Sequence, residues 1–146
     1  FIMASPGPGL PSEYPKLHRF IKRYSGKKSI LGVCLGHQVI AETFGAKTIN
    51  LKKIIHGEAS SILIKEKGCP LFQNIENNFS AGRYHSWCVD ASKLPTGLNV
   101  TAIDSQNNIM GIQHQSHPTF GVQFHPESIL TPNGKQIIKN WLSFNP

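Results

Sequence analysis

Residues 29–45, SILGVCLGHQVIAETFG, constrain the fold more than any other stretch of the chain. Ser29–Val33 is a short apolar run of the kind that forms a buried strand. The residues after Cys34 place Val39, Ile40 and Phe44 at helical spacing, and Gly45 stands where a helix would stop. Gly32 and Gly36 flank the cysteine, so the strand-to-helix turn can be sharp and the helix can pack closely. The same alternation occurs upstream. Phe1–Ala4 is an apolar run closed by proline and glycine, and PSEYPKLHRFIKRYS carries Leu17, Phe20, Ile21 and Tyr24 on one helical face with basic residues opposite. Strand–helix–strand–helix predicts an α/β fold: an open, mainly parallel sheet with flanking helices.

From Thr48 to Val122 the pattern changes to short β-like pieces, SSILIK, NFSAGRYHSWCV, LNVTAID, IMGIQHQ and TFGVQF, with SQNN (105–108) reading as a hairpin turn. A last helix follows, with Thr131 as its expected cap, Pro132 in its first turn and Ile137, Ile138, Trp141 and Leu142 as its buried stripe. A chain of 146 residues suits one domain. Because it opens FIMASPGPG, inside an apolar run, the expectation is a single domain over residues 1–146 that is incomplete at its N-terminus.

The net charge of +7 invites a nucleic-acid reading, but Lys and Arg are scattered. The densest clusters, HRFIKR (18–23) and GKK (26–28), are short and not interleaved with stacking aromatics, so neither nucleic acid nor membrane is an expected partner. No apolar run approaches the roughly 20 residues of a membrane-spanning helix. Three cysteines, an odd number without regular spacing, predict free thiols and a cytoplasmic setting. His114 and His117 lack the further ligands that zinc requires, Cys69 and Cys88 read as packing residues, and no metal or cofactor is expected.

A thiol at a strand-to-helix bend is held out of the sheet, and the amides of the following helix favour its ionised, nucleophilic form. GVQFHPES (121–128) ends a strand with His125 and Glu127; if the backbone stays extended, the two face the same side and the carboxylate can orient the imidazole. SPGPG (5–9) offers main-chain N–H groups to an anion or oxyanion. Each piece alone has a plain alternative: a core cysteine, a histidine capping a loop, an ordinary turn. Together they make a nucleophile, a base and its orienter.

SPGPGLPSE, GVCLGHQ, GRYHSW and GVQFHPESILTPNGKQIIKNWL resemble the class I (triad-type) glutamine amidotransferases, and among them most the glutaminase component of anthranilate synthase and aminodeoxychorismate synthase. The resemblance implies Cys34 as nucleophile, His125 as general base and acid, and Glu127 as its orienter. It implies an oxyanion site at the N–H groups of Gly9 and Leu35, and a glutamine pocket formed by Gly7, Pro8, Gly9, Gln38, Ser86 and Trp87. It further implies a partner, a chorismate-binding synthase subunit, that faces His56 and Gly57. Against the family pattern, a strand, a helix and a further strand are expected ahead of the strand that leads into SPGPG, and this sequence does not include them. It also has Trp87 and Cys88 where smaller aliphatic residues are usual, and Glu58 where a basic residue is often seen. The alternatives are a glutaminase serving another acceptor, a hydrolase of γ-glutamyl bonds, and a catalytically silent scaffold of the same fold.

Overall fold

Alternation along a strand decides which core each side chain joins. In β2 (Ile30–Val33), Ile30 packs with Val39, Ile40 and Ile21, whereas Leu31 and Val33 pack with Phe120, Val122, Ile137 and Trp141. The sheet therefore has a core on each face, one under α1 (Pro15–Tyr24) and α2 (Leu35–Thr43) and the other under α3 (Gly134–Ser143). The computed structural model describes residues 1–144, apart from the side chain of Lys53.

The strands are β1 (Ile2–Ala4), β2, β3 (Thr48–Ile64), β4 (Asn78–Val89), β5 (Leu98–Asp104), β6 (Ile109–His114) and β7 (Thr119–Val122). They form one seven-stranded sheet in the order β1-β2-β7-β6-β5-β3-β4. Pairing is parallel across β1, β2 and β7 and antiparallel from β7 to β4. The expected α/β sheet with flanking helices is present. Its parallel part is the part that carries the thiol, and the β-rich middle of the chain continues the same sheet. The SQNN segment turns between β5 and β6, with Asp104 Oδ1 accepting from the N–H groups of Gln106 and Asn108. Among the described residues no helix is long and apolar enough to cross a membrane.

Three glycines let α2 lie directly on the sheet. Gly32 and Gly121 are register partners on β2 and β7. A Cβ on Gly32 would come within 2.5 Å of the Gly36 main chain, and one on Gly121 within 2.7 Å of His37 Nδ1. A Cβ on Gly36 would sit 2.0 Å from the Ala4 carbonyl oxygen, so the first turn of α2 touches the end of β1. Gly45, with φ of +101°, follows α2 as expected.

Four details differ from the sequence reading. Thr131 does not cap α3. Its Oγ1 is drawn into the fold, donating to the His125 carbonyl at 2.7 Å and accepting from Gly82 N–H at 2.9 Å. The helix begins instead at Gly134, preceded by Asn133. Leu142 and Phe20 are exposed: α3 turns only Ile137 and Trp141 fully inward, and Phe20 packs at the periphery against the Tyr24 ring. β3 is far longer than SSILIK. Before Ile62 it pairs only with β4, through register shifts at Asn50/Ile55 and His56/Glu58, and residues such as Ile49 and Ile54 are exposed, so no covered face imposes an alternating pattern there.

Gly36→Ala should lower the midpoint of thermal unfolding by several degrees, because overpacking a close contact costs about 1–3 kcal/mol. A melt followed by circular dichroism measures this; an unchanged midpoint would show that α2 can retreat freely from β1.

Candidate active site

In an open α/β sheet, ligands gather beyond the carboxyl ends of parallel strands. All three parallel strands here deliver a candidate segment to that edge: β1 leads into Ser5–Gly9, β2 into Cys34, and β7 into Gln123–Glu127. The topology thus brings together pieces separated by about ninety residues.

Cys34 occupies the bend itself, with φ of 52° and ψ of −104°. A non-glycine residue at positive φ is strained, and such strain persists only where neighbours over-determine it. The Cys34 N–H donates to the Val122 carbonyl at 2.9 Å, the Cys34 carbonyl accepts from Gln38 N–H, and the close contact of Gly36 fixes the turn from below. The sulfur-bearing residue is 8% exposed. Burial pushes its pKa up to about 11, and the charge of Glu127 pushes in the same direction. Hydrogen bonds from the Leu35 N–H and the Gln123 amide pull it down. The helix amide acts in the expected sense, but in the closed pocket desolvation outweighs it. Cys69 and Cys88 are buried too, and burial raises both to about 11.

The Ser5–Gly9 loop is held from behind by two residues of the following PSEYP segment. Glu13 accepts from the Leu10 N–H, and Tyr14 OH donates to the Pro8 carbonyl at 2.6 Å. Gly9 has φ of +81°, and a Cβ there would collide with the Glu13 carboxylate, so the loop shape requires glycine.

His125 and Glu127 meet as expected, with Nδ1 2.6 Å from Oε1. The route differs from that anticipated. β7 ends at Val122 and residues 126–127 form a turn, closed by Ser128 N–H donating to the His125 carbonyl at 3.1 Å. The pair is clamped by β4, since His125 N–H donates to the Gly82 carbonyl at 2.9 Å and the Tyr84 ring stands edge-on to the imidazole at 4.9 Å. His125 Nε2 is buried and has no hydrogen-bond partner, so the nitrogen opposite Glu127 is unspent.

The far wall comes from the other end of the sheet. β4 is last in strand order, yet its Tyr84–Trp87 segment faces Cys34. Two donors converge on the Trp87 carbonyl: Gln38 Nε2 at 2.9 Å and His85 Nδ1 at 2.8 Å. Arg83 Nε donates to His85 Nε2 at 3.0 Å, which fixes the imidazole tautomer, and Arg83 is itself ion-paired with buried Asp104 at 2.8 Å. Gln38 also donates to Gln123 Oε1 at 3.0 Å, and Gln123 Nε2 lies 3.7 Å from Cys34 Sγ.

Gly7, Gly9, Cys34, Leu35, Gln38, Ser86 and Trp87 thus line one small polar pocket of about 170 Å³, together with Tyr84 and His85. Pro8 turns its carbonyl to Tyr14 and is not in the lining. His125 and Glu127 are not in that lining, although the Tyr84 ring, which is, contacts His125; Glu127 borders a larger, mostly apolar groove with Met3, Ile129 and Ile138. His56 and Gly57 are exposed on β3, with the His56 ring edge-on to Tyr84 at 5.6 Å. Sequence reasoning missed Glu13, Tyr14, Arg83, His85, Asp104 and Gln123. The PSEYP and GRYHSW segments signal some of these, as polar residues between prolines or following a glycine; the partner of Arg83 lies too far along the chain to be read.

The chain belongs to the class-I glutamine amidotransferase family: the model described as "Glutamine amidotransferase class-I" matches residues 1–143. Among curated relatives it is 51% identical over 142 residues to the "Bifunctional protein TrpGD" of Thermotoga maritima, a match spanning 97% of this chain and 24% of that one. It is 42% identical to the "Aminodeoxychorismate/anthranilate synthase component 2" of Bacillus subtilis, over 97% of this chain and 72% of the relative. To the "Aminodeoxychorismate synthase component 2" of Escherichia coli it is 43% identical, over 97% and 74%. The chain therefore spans about a quarter of the bifunctional relative and about three-quarters of the other two. Among solved structures, a Thermoplasma acidophilum protein assigned as part of a GMP synthase superposes with a TM-score of 0.84 at 25% identity, covering 96% of this chain and 69% of that one.

Two buried imidazoles give the site a pH signature. Burial lowers the pKa of His37 to about 3, outweighing an opposing pull from the Gly121 main chain. Burial and the Arg83 charge lower that of His85 to about 4. The unfolded chain takes up these protons near pH 6.5, whereas the folded chain resists until pH 3–4. The resulting stability is complete above pH 6.5 and is lost as pH falls towards 4. The melting temperature should drop steeply across that window, and less steeply in His37→Gln; equal slopes would show that His37 does not contribute.

Proposed function

We propose that the chain is a glutaminase that hydrolyses L-glutamine through a thioester on Cys34. The observation that carries this reading is the convergence of the strained Cys34 bend, the glycine loop after β1 and the His125–Glu127 pair at one edge of the sheet. Glutamine would lie in the polar pocket, against the Gly7–Gly9 loop and the main chain at Ser86 and Trp87. With both N–H groups of Gln38 committed to the Trp87 carbonyl and Gln123, its Oε1 is left to accept from the substrate.

His125 Nε2 takes the Cys34 proton as the sulfur attacks the side-chain amide carbon. The high resting pKa of the thiol makes proton removal part of the attack, not a step completed beforehand. The N–H groups of Gly9 and Leu35 receive the oxyanion of the tetrahedral intermediate. Collapse breaks the C–N bond, and His125 returns the proton to the departing amine, giving ammonia and a γ-glutamyl thioester. Water, deprotonated by the same imidazole, attacks the thioester; the C–S bond breaks and glutamate and the thiol are released. Glu127 stabilises the imidazolium formed in both halves.

Ammonia would pass to a chorismate-binding synthase subunit making anthranilate or aminodeoxychorismate, a reading supported by the names of the relatives. The exposed His56–Gly57 segment is the proposed partner face. The associated pathways are tryptophan and folate biosynthesis, and the free thiols of Cys34, Cys69 and Cys88 support a cytoplasmic setting.

Cys34→Ser should reduce glutamine hydrolysis by roughly three orders of magnitude or more, while a synthase partner supplied with free ammonia keeps turning over. A glutamine analogue bearing an electrophilic carbon should label Cys34 stoichiometrically. Undiminished hydrolysis by the Cys34→Ser protein, measured as glutamate released, would overturn the assignment.

A further inference from the structure

The two amide side chains behind the sulfur have a fixed direction. The Trp87 carbonyl can only accept, and Gln38 donates to it from Nε2, so Gln38 cannot be flipped without setting two carbonyl oxygens against each other. The same Nε2 carries a second hydrogen and donates it to Gln123 Oε1. That bond fixes Gln123 in turn, and leaves its Nε2 as the group facing Cys34 Sγ at 3.7 Å. Gln123 is fully buried and Gln38 is 4% exposed, so water does not compete for either amide.

We propose that Gln123 holds and activates the nucleophile: its N–H, oriented by Trp87 through Gln38, is a built-in donor to the Cys34 sulfur that stabilises the charge developing there. The proposal rests on the reading of Cys34 as nucleophile. A main-chain carbonyl on β4 thereby determines, two hydrogen bonds away, that the sulfur meets a donor and not an oxygen. An oxygen in its place would add to the opposition that burial and Glu127 already present. Gln38 also lines the substrate pocket, so the same chain joins the place where glutamine would bind to the atom that would attack it.

The other titratable and charged groups on elements packed around the sulfur are Glu127 and His125 after β7, Arg83, Tyr84 and His85 on β4 and His37 in α2. All remain in place when only Gln123 is changed. Gln123→Glu keeps the acceptor for Gln38 and removes the donor to sulfur; Gln123→Met removes both without adding charge. The rate of Cys34 alkylation by iodoacetamide, followed from pH 6 to 11 with the modified peptide identified by mass, reads the thiolate directly. The Met variant should shift the profile to higher pH by about one unit, with about tenfold slower alkylation at pH 8, because hydrogen bonds to charged groups are worth that much. The Glu variant should shift it further. Glutamine turnover should fall in kcat more than KM rises in the Glu variant, since its hold on Gln38 is kept. Alkylation profiles superimposable on the unsubstituted protein in either folded variant would overturn the inference. Cys34→Ala keeps the two readings separable: hydrolysis surviving in that protein would sink the reading of Cys34 as nucleophile, while the alkylation profiles would still judge the hydrogen bond.

Discussion

The contact between the first turn of α2 and the Ala4 carbonyl is the constraint on which the site depends. It is possible only because Gly36 lacks a side chain, and it is supported by Gly32 and Gly121, which form a trough under the helix. Drawing α2 this close leaves too little chain for a relaxed connection from β2, and the residue at the bend takes a positive φ. Strain of this type costs about 1–3 kcal/mol. It is held by the bond from Cys34 to Val122 and by the fully buried residues on both faces of the sheet. The same bend that strains Cys34 places its sulfur at the mouth of a pocket instead of within the strand.

Around that bend, polar groups are buried in connected sets. Asp104 neutralises Arg83, Arg83 orients His85, and His85 and Gln38 share the Trp87 carbonyl. Low dielectric strengthens such bonds when they are complete and penalises them when they are not. The sets are not complete everywhere: Arg83 Nη2 is buried without a partner within this one. His125 Nε2 is buried without a partner, and the thiol is held away from ionisation. On the proposed mechanism, the unspent nitrogen and the un-ionised thiol leave proton transfer to await a substrate that completes the hydrogen bonding.

The parallel half of the fold was legible in the chain because its signals are local. Apolar runs of strand length, helical stripes and glycines beside Cys34 all act within a few residues. The Cys34, His125 and Glu127 pieces could be picked out for the same reason, each in a short distinctive segment. What escaped depends on distant pairing. Gln123 reads as an ordinary polar residue at a strand end until Gln38 and Cys34 are beside it, and Arg83 meets Asp104 only after β3 and β5 have paired. Thr131 has the composition of a cap, but two buried main-chain groups compete for its hydroxyl and win. The early part of β3 carries no alternation because neither of its faces is buried, Ile49 and Ile54 both being exposed.

The cleft joins distant parts of one sheet. The thiol follows β2 and the opposite wall is β4, five places away in the ladder, so the sheet must curl for the two to meet. The two walls are also riveted together directly: Val89 joins the core under α2, Trp87 is bonded to Gln38, and Gly82 to His125 and Thr131. The cleft therefore cannot gape without tearing buried contacts, and its width is as stable as the fold itself.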